Sequence, residues 1–296
     1  MDESFSTRPV VGRLIALDLR PTRPITFLGP AWAALCGAIA AGGLAWRSQS
    51  FLFVILSILL CDTLLGAWRA LWLHADWRAA LPRNLAQARV WLNLGRDDQP
   101  GSFLARALKP LTLRLAFARN VIWPLVDSEI IGMVIAGILA VCLAALMTPV
   151  TLMLVGGTMG LALLEGELSA ERRMGLRALI EIAMPWLITQ SVFGYFSWLS
   201  LVFALLFTLV YRALLGVVVA RQEHWLRWSF LPQLGIALLL FAEATPVGAA
   251  IVALGLIAQV LWQTRYRINR DGRAYAQHVQ AYVLVAMLVA GLALWF

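Results

Sequence analysis

Apolar runs long enough to cross a bilayer recur from one end of this 296-residue sequence to the other. A helical crossing needs roughly 17–25 mostly apolar residues. Nine such spans are read, at 26–46, 51–74, 129–147, 149–165, 178–194, 196–216, 229–243, 246–262 and 279–296. Pro149, Pro232 and Pro246 mark joints, and spans seven and eight read as a tight helical hairpin around Thr245-Pro246. Alternating strands of about ten residues, which a barrel needs, are absent. The chain is therefore expected to be all-α, a polytopic membrane protein.

The basic residues supply an independent test. With the N-terminus inside, all the 24 Lys and Arg except Arg47 fall in the leader or in the internal segments 69–119, 165–178, 212–228 and 263–278. Such asymmetry is what the positive-inside rule demands. The net charge of +8 is thus spent on topology, and nucleic acid is not an expected partner. Residues 1–24 read as a basic cytoplasmic leader with no cleavage site for a signal peptide, and 25–296 as a single transmembrane domain. Within it, 75–128 is basic and amphipathic. A helix lying on the cytoplasmic leaflet fits it. A tenth crossing at 104–126 is the alternative, at the expense of burying Arg106, Lys109, Arg114 and Arg119.

Three cysteines, Cys36, Cys61 and Cys142, lie in apolar runs without metal-ligand spacing and are expected to be packed. Tryptophans gather near span ends (Trp46, Trp123, Trp186, Trp225, Trp228, Trp262, Trp295), as an interfacial belt would place them. Arg177 and Glu181 stand four apart, a spacing that favours a local ion pair. Asp62 and Arg69, seven apart in CDTLLGAWRALWLHADW (61–77), would share a helix face. They would line a headgroup pocket or pair structurally. The histidines His74, His224 and His278 all lie near internal boundaries. They read as interfacial hydrogen-bonders, and His278, which opens the last span, is the best placed of the three to act as a ligand.

Two stretches carry a resemblance. RPITFLGPAWAALCGAIAAGG (23–43) and the region from LPQLGIALLLFAEATPVGAA to the terminal span, including RINRDGRAY, resemble the first and last helices of chlorophyll and bacteriochlorophyll synthases. Those enzymes belong to the UbiA-type prenyltransferase superfamily. The resemblance implies a nine-helix UbiA-like bundle with a cytoplasmic N-terminus in a bacterial inner membrane. It also implies two aspartate-rich motifs holding Mg²⁺ on an isoprenoid diphosphate, since hard oxygen ligands carry the metal that neutralises the leaving group.

Neither motif is intact. Where the first should read Asn-Asp-x-x-Asp-x-x-x-Asp, the chain has Trp68, Arg69 and Trp72, and only Asp76 remains, with His74 beside it. In the second region Val210, Tyr211 and Arg212 stand where an Asn-Asp pair would open the motif, and Glu223 is its one carboxylate. The resemblance therefore implies a non-catalytic relative. Its apolar cavity would hold bacteriochlorophyll, carotenoid, quinone or lipid, with Asp62, Arg69, Trp72 and His74 as ligand-binding candidates and His278 as the candidate ligand to a pigment's magnesium. The implied setting is an accessory subunit of a photosynthetic or other bioenergetic membrane complex, surrounded by membrane lipids. The alternative is an active prenyltransferase in which Asp76, Glu165, Glu167, Glu171 and Glu223 regroup around one Mg²⁺. A lipid or small-molecule carrier is a further alternative.

Overall fold

A computed structural model describes residues 25, 27–43, 48–74, 123–166, 168–220, 222, 224–266 and 268–295, and among these every regular element is helical. In chain order they are α1 (Pro30–Ala40), α2 (Ser48–Ile58), a π-helical turn π1 (Leu59–Leu64), α3 (Leu65–His74), α4 (Trp123–Met147) and α5 (Pro149–Glu165). There follow α6 (Ala170–Ala178), a second π turn π2 (Leu179–Ala183), α7 (Met184–Val192), α8 (Trp198–Val219), α9 (His224–Ala242), α10 (Pro246–Gln263) and α11 (Ile268–Trp295). Five described helices are long and apolar enough to cross a membrane: Gln49–Leu73, Trp198–Val219, His224–Ala242, Pro246–Gln263 and Asp271–Trp295. Pro30–Ala40, Ile131–Met147 and Pro149–Glu165 are apolar but shorter. This is the pattern of a multi-pass helical membrane protein.

The chain divides into two compact units. Of the first, which includes Ala67–Ala136, the structure describes residues 67–74 and 123–136. The basic segment 75–128 therefore lies outside the described residues except for its last six, which open α4.

The second unit, Asp18–Gly66 with Gly137–Phe296, holds most of the core. There α1 packs on α7 and α11, and α8 packs on α9, α11, α6 and π2, while α10 bridges α9 and α11. Small residues permit the closest approaches. A Cβ on Gly37 would stand 2.5 Å from the Trp186 carbonyl oxygen, and one on Gly291 3.0 Å from that of Cys36. Close backbone approach of this kind is how helices associate where no hydrophobic force separates them from lipid. Side chains add hydrogen bonds across the seams. Gln233 and Gln259 exchange both amide bonds, at 3.0 and 2.7 Å, joining α9 to α10. Trp32 Nε1 donates to the Leu284 carbonyl at 3.2 Å, joining α1 to α11.

Local chemistry explains where the helices end and bend. The first span ends early, at Ala40, because Gly42 takes a left-handed φ of +71°. Gly43 N–H then reaches the Ala38 carbonyl at 2.8 Å and Gly42 N–H that of Ile39 at 2.9 Å, a Schellman closure. Gly194 (φ +68°) closes α7 in the same way through Gln190 and Ser191. Thr148 caps α5, accepting from Thr151 N at 3.0 Å, and Pro149 occupies the first turn, where its missing N–H costs nothing.

Pro232 is not a joint: it lies inside α9. Membrane helices accept an interior proline when neighbouring polar groups serve the exposed backbone. The carbonyl that Pro232 leaves without its α-helical N–H is that of Trp228, and one residue on Gln233 Nε2 donates to the Ser229 carbonyl at 3.1 Å. Pro185 acts differently. Its ring and absent N–H oppose an α-type bond to residue 181, and the helix widens at that point into π2, with Met184 N–H bonding the Leu179 carbonyl five residues back.

Candidate functional site

Polar and charged side chains collect at one end of the second unit, where α6, π2, α8, the start of α9 and the start of α11 meet. The central group is Glu181. It lies in π2, is 4% exposed, and projects from an otherwise apolar turn. Such π turns recur at functional positions because they re-aim one side chain without ending the helix. The ion pair expected from the i, i+4 spacing forms: Arg177 Nε donates to Glu181 Oε1 at 2.9 Å. Tyr211 of α8, fully buried, donates its hydroxyl to the other carboxylate oxygen. A carboxylate in an apolar interior needs such partners, since an unpaired one costs several kcal/mol of desolvation.

Next to Tyr211, Arg212 extends along α8 to the surface, where it is 36% exposed and its Nη2 stands 3.8 Å from Oε1 of Glu171, itself 72% exposed. The guanidinium passes over the ring of Trp225, with Cζ 5.6 Å from the ring centroid. Trp225 lies in the first turn of α9 and packs flat on Gly216, where a Cβ would stand 2.3 Å from the indole. Arg212 and Gly216, four apart, occupy one face of α8. On α11, Gly272 lies against the Val217 carbonyl, 2.7 Å from where its Cβ would be, and one turn on stands fully buried Tyr275.

The sequence-derived positions distribute as follows. Trp68 is buried and Arg69 and Trp72 are half-buried on α3. His74 ends that helix, and Asp76 lies outside the described residues, as do Glu167 and Glu223. Val210 and Tyr211 are core residues of α8. Asp62 is half-buried inside π1, so its seven-residue step to Arg69 begins in π winding and is not two ideal α turns. Glu165 is buried at the end of α5, whereas Glu171 is on the surface. No three His, Cys, Asp or Glu side chains among the described residues stand close enough to hold a metal.

His278 is exposed on α11, with Nδ1 2.9 Å from the Ala274 carbonyl and 3.2 Å from the Tyr266 hydroxyl, and Trp262 stacked at 5.5 Å. Cys36 and Cys61 are packed as expected, but Cys142 is exposed on α4. Trp186, assigned from its position to the interfacial belt, is instead fully buried, because Ser200 accepts its indole N–H at 2.8 Å.

No spacing rule joins Tyr211 to Glu181 or Trp225 to Arg212, since each pair is brought together by helix packing. The adjacent Pro185 was the one local signal that the helix would widen near Glu181.

No protein-family model, curated protein or solved structure gives a significant match to this chain.

Proposed function

We propose that the chain is a non-catalytic UbiA-like membrane protein that holds an apolar ligand among its helices. The ligand class is pigment, quinone, carotenoid or lipid. The role is that of an accessory subunit in a photosynthetic or other bioenergetic complex of a bacterial inner membrane. In this reading nine spans cross the membrane and the N-terminus is cytoplasmic.

The observation that supports it is the state of Glu181. On the resemblance, Tyr211 stands where the second metal motif would open, yet its hydroxyl is committed to a carboxylate already paired with Arg177. A tyrosine–glutamate–arginine contact stabilises a helix junction. It does not offer the open cluster of carboxylates that a magnesium diphosphate needs. The aromatic and cationic residues Trp68, Arg69 and Trp72 on α3 point the same way, because an arginine repels the metal that an aspartate would recruit.

The test is purification from native membranes in mild detergent, followed by an absorption spectrum and mass spectrometry. A retained pigment, quinone, carotenoid or lipid together with co-purifying complex subunits is expected. Isolation of a ligand-free, partner-free protein would refute the proposal.

A further inference from the structure

One exposed side chain has the hydrogen bonding of a metal ligand. His278 Nδ1 lies 2.9 Å from the Ala274 carbonyl, one turn back on α11. A carbonyl oxygen only accepts, so Nδ1 carries the proton and Nε2 of the neutral ring carries the lone pair. The Tyr266 hydroxyl, in the loop between α10 and α11, stands 3.2 Å from the same Nδ1, and Trp262 stacks on the ring with centroids 5.5 Å apart. Metal-ligating histidines are held in this way. One nitrogen donates to a carbonyl, which fixes tautomer and ring orientation, and the other is left for the metal. Nε2 has no partner among the described residues, and the side chain is exposed.

The surroundings restrict which metal this is. Among the described residues no group of three His, Cys, Asp or Glu could hold an ion. A bare Zn²⁺ or Mg²⁺ needs about four to six ligands, so a single imidazole selects a metal whose other positions are already filled. A metallotetrapyrrole brings four equatorial nitrogens and leaves an axial place that an imidazole takes. Its macrocycle also needs a flat apolar floor beside the ligand. Ala281 and Val285, three and seven residues on, share a face of α11 with His278 and are exposed. The small side chain of Ala281 leaves room for the ring plane to approach Nε2. All three residues belong to Asp271–Trp295, a helix long and apolar enough to cross a membrane.

We infer that His278 Nε2 is the axial ligand of a metallotetrapyrrole, a magnesium chlorin or a haem, whose macrocycle lies along Ala281 and Val285. Tyr266 is a positioning residue, holding the imidazole through Nδ1. Of the ligand classes proposed above the inference concerns the pigment alone, and it places that pigment on the exposed face of α11. Its failure would leave a quinone, carotenoid or lipid held among the helices untouched, and purification from native membranes tests that reading separately.

The experiment titrates full-length protein in mild detergent with three probes: zinc pheophorbide a, in which zinc stands in for magnesium, metal-free pheophorbide a, and haemin. Induced circular dichroism in the visible bands reads binding, and the shift of the absorption bands reads axial ligation. One metal-bearing probe is expected to bind about tenfold or more tightly than the metal-free ring. That probe identifies the source, zinc pheophorbide for a chlorin and haemin for a haem. His278→Leu is expected to abolish the advantage of the metal and the ligation shift. Tyr266→Phe is expected to weaken only the metal-bearing probe, about tenfold, as loss of an outer-shell partner does. Binding of the metal-free ring, unchanged in both variants, separates lost ligation from lost fold. Equal affinity of wild type for all three probes, or a metal advantage that survives in His278→Leu, would overturn the inference.

Discussion

The second unit has two dissimilar ends. At one, α1 and α7 finish in glycine Schellman turns, Gly43 abuts the Phe193 ring, and Gly42 faces the Trp295 indole. Thr148, Thr151 and Ser191 hydrogen-bond one another there, at 2.8 Å for each hydroxyl pair. At the other, Arg177, Glu181, Tyr211, Arg212 and Trp225 gather, and three of the four unpartnered buried polar atoms (Arg212 Nε, Trp225 Nε1 and Tyr275 OH) lie there. The first end is built from backbone groups that satisfy one another locally. The second leaves three buried polar atoms unpaired among the described residues. Stability should therefore reside in turn geometry at the closed end and in charge pairing at the polar end.

The largest expected effect of disturbing this contrast is at the polar end. Arg177→Ala leaves the buried Glu181 carboxylate with one charge-assisted partner fewer, and since Arg177 is 30% exposed the expected loss is about 2–3 kcal/mol, below that of a fully buried pair. A large drop in thermal unfolding temperature in detergent is the readout. An Arg177→Ala protein as stable as wild type would mean that solvent already serves Glu181. Tyr211→Phe removes one charge-assisted bond to the same carboxylate, with an expected loss of about 1.5–3 kcal/mol. The Arg177→Ala/Tyr211→Phe double variant should be less destabilised than the two losses added, because both serve one group.

Closed-end variants should be smaller in effect. Gly42→Ala places a Cβ in left-handed backbone and is expected to cost about 1–2 kcal/mol. The mirror case is Ala244, which holds φ +55° in the turn between α9 and α10, where Thr245 N–H reaches the Leu240 carbonyl. Ala244→Gly relieves that strain at the expense of unfolded-chain entropy, so a net gain of about 0.5–1 kcal/mol is expected. Loss of stability in Ala244→Gly would show that the turn is held by packing and not by backbone preference.

This contrast also sorts what was legible in the sequence. Local rules carried the helices: hydropathy located their centres, and Pro149 and Pro246 located two of their starts. The Arg177–Glu181 pair followed from spacing alone. The failures came where tertiary contacts override local preference. Pro232 breaks a helix in water, yet inside the bundle α9 runs through it, packed on α8 and α10. Trp186 reads as interfacial until Ser200, on the next helix, supplies an acceptor. Trp225 reads as interfacial and Arg212 as a departure from the second motif, yet Trp225 is buried beneath Arg212, a contact that only packing shows. The Gly42-Gly43 pair is a stop signal legible in the sequence, and it ends the first helix before residue 46.

The central proposal is that Tyr211, which on the resemblance stands where the second metal motif would open, is instead bonded to Glu181. The most direct measurement is Mg²⁺-dependent transfer of a labelled isoprenoid from its diphosphate to a chlorophyllide-type acceptor by the purified protein. The account predicts no incorporation above the metal-free control for wild type. Incorporation that requires Mg²⁺ and falls when Asp76 or Glu223 is replaced by alanine would contradict it.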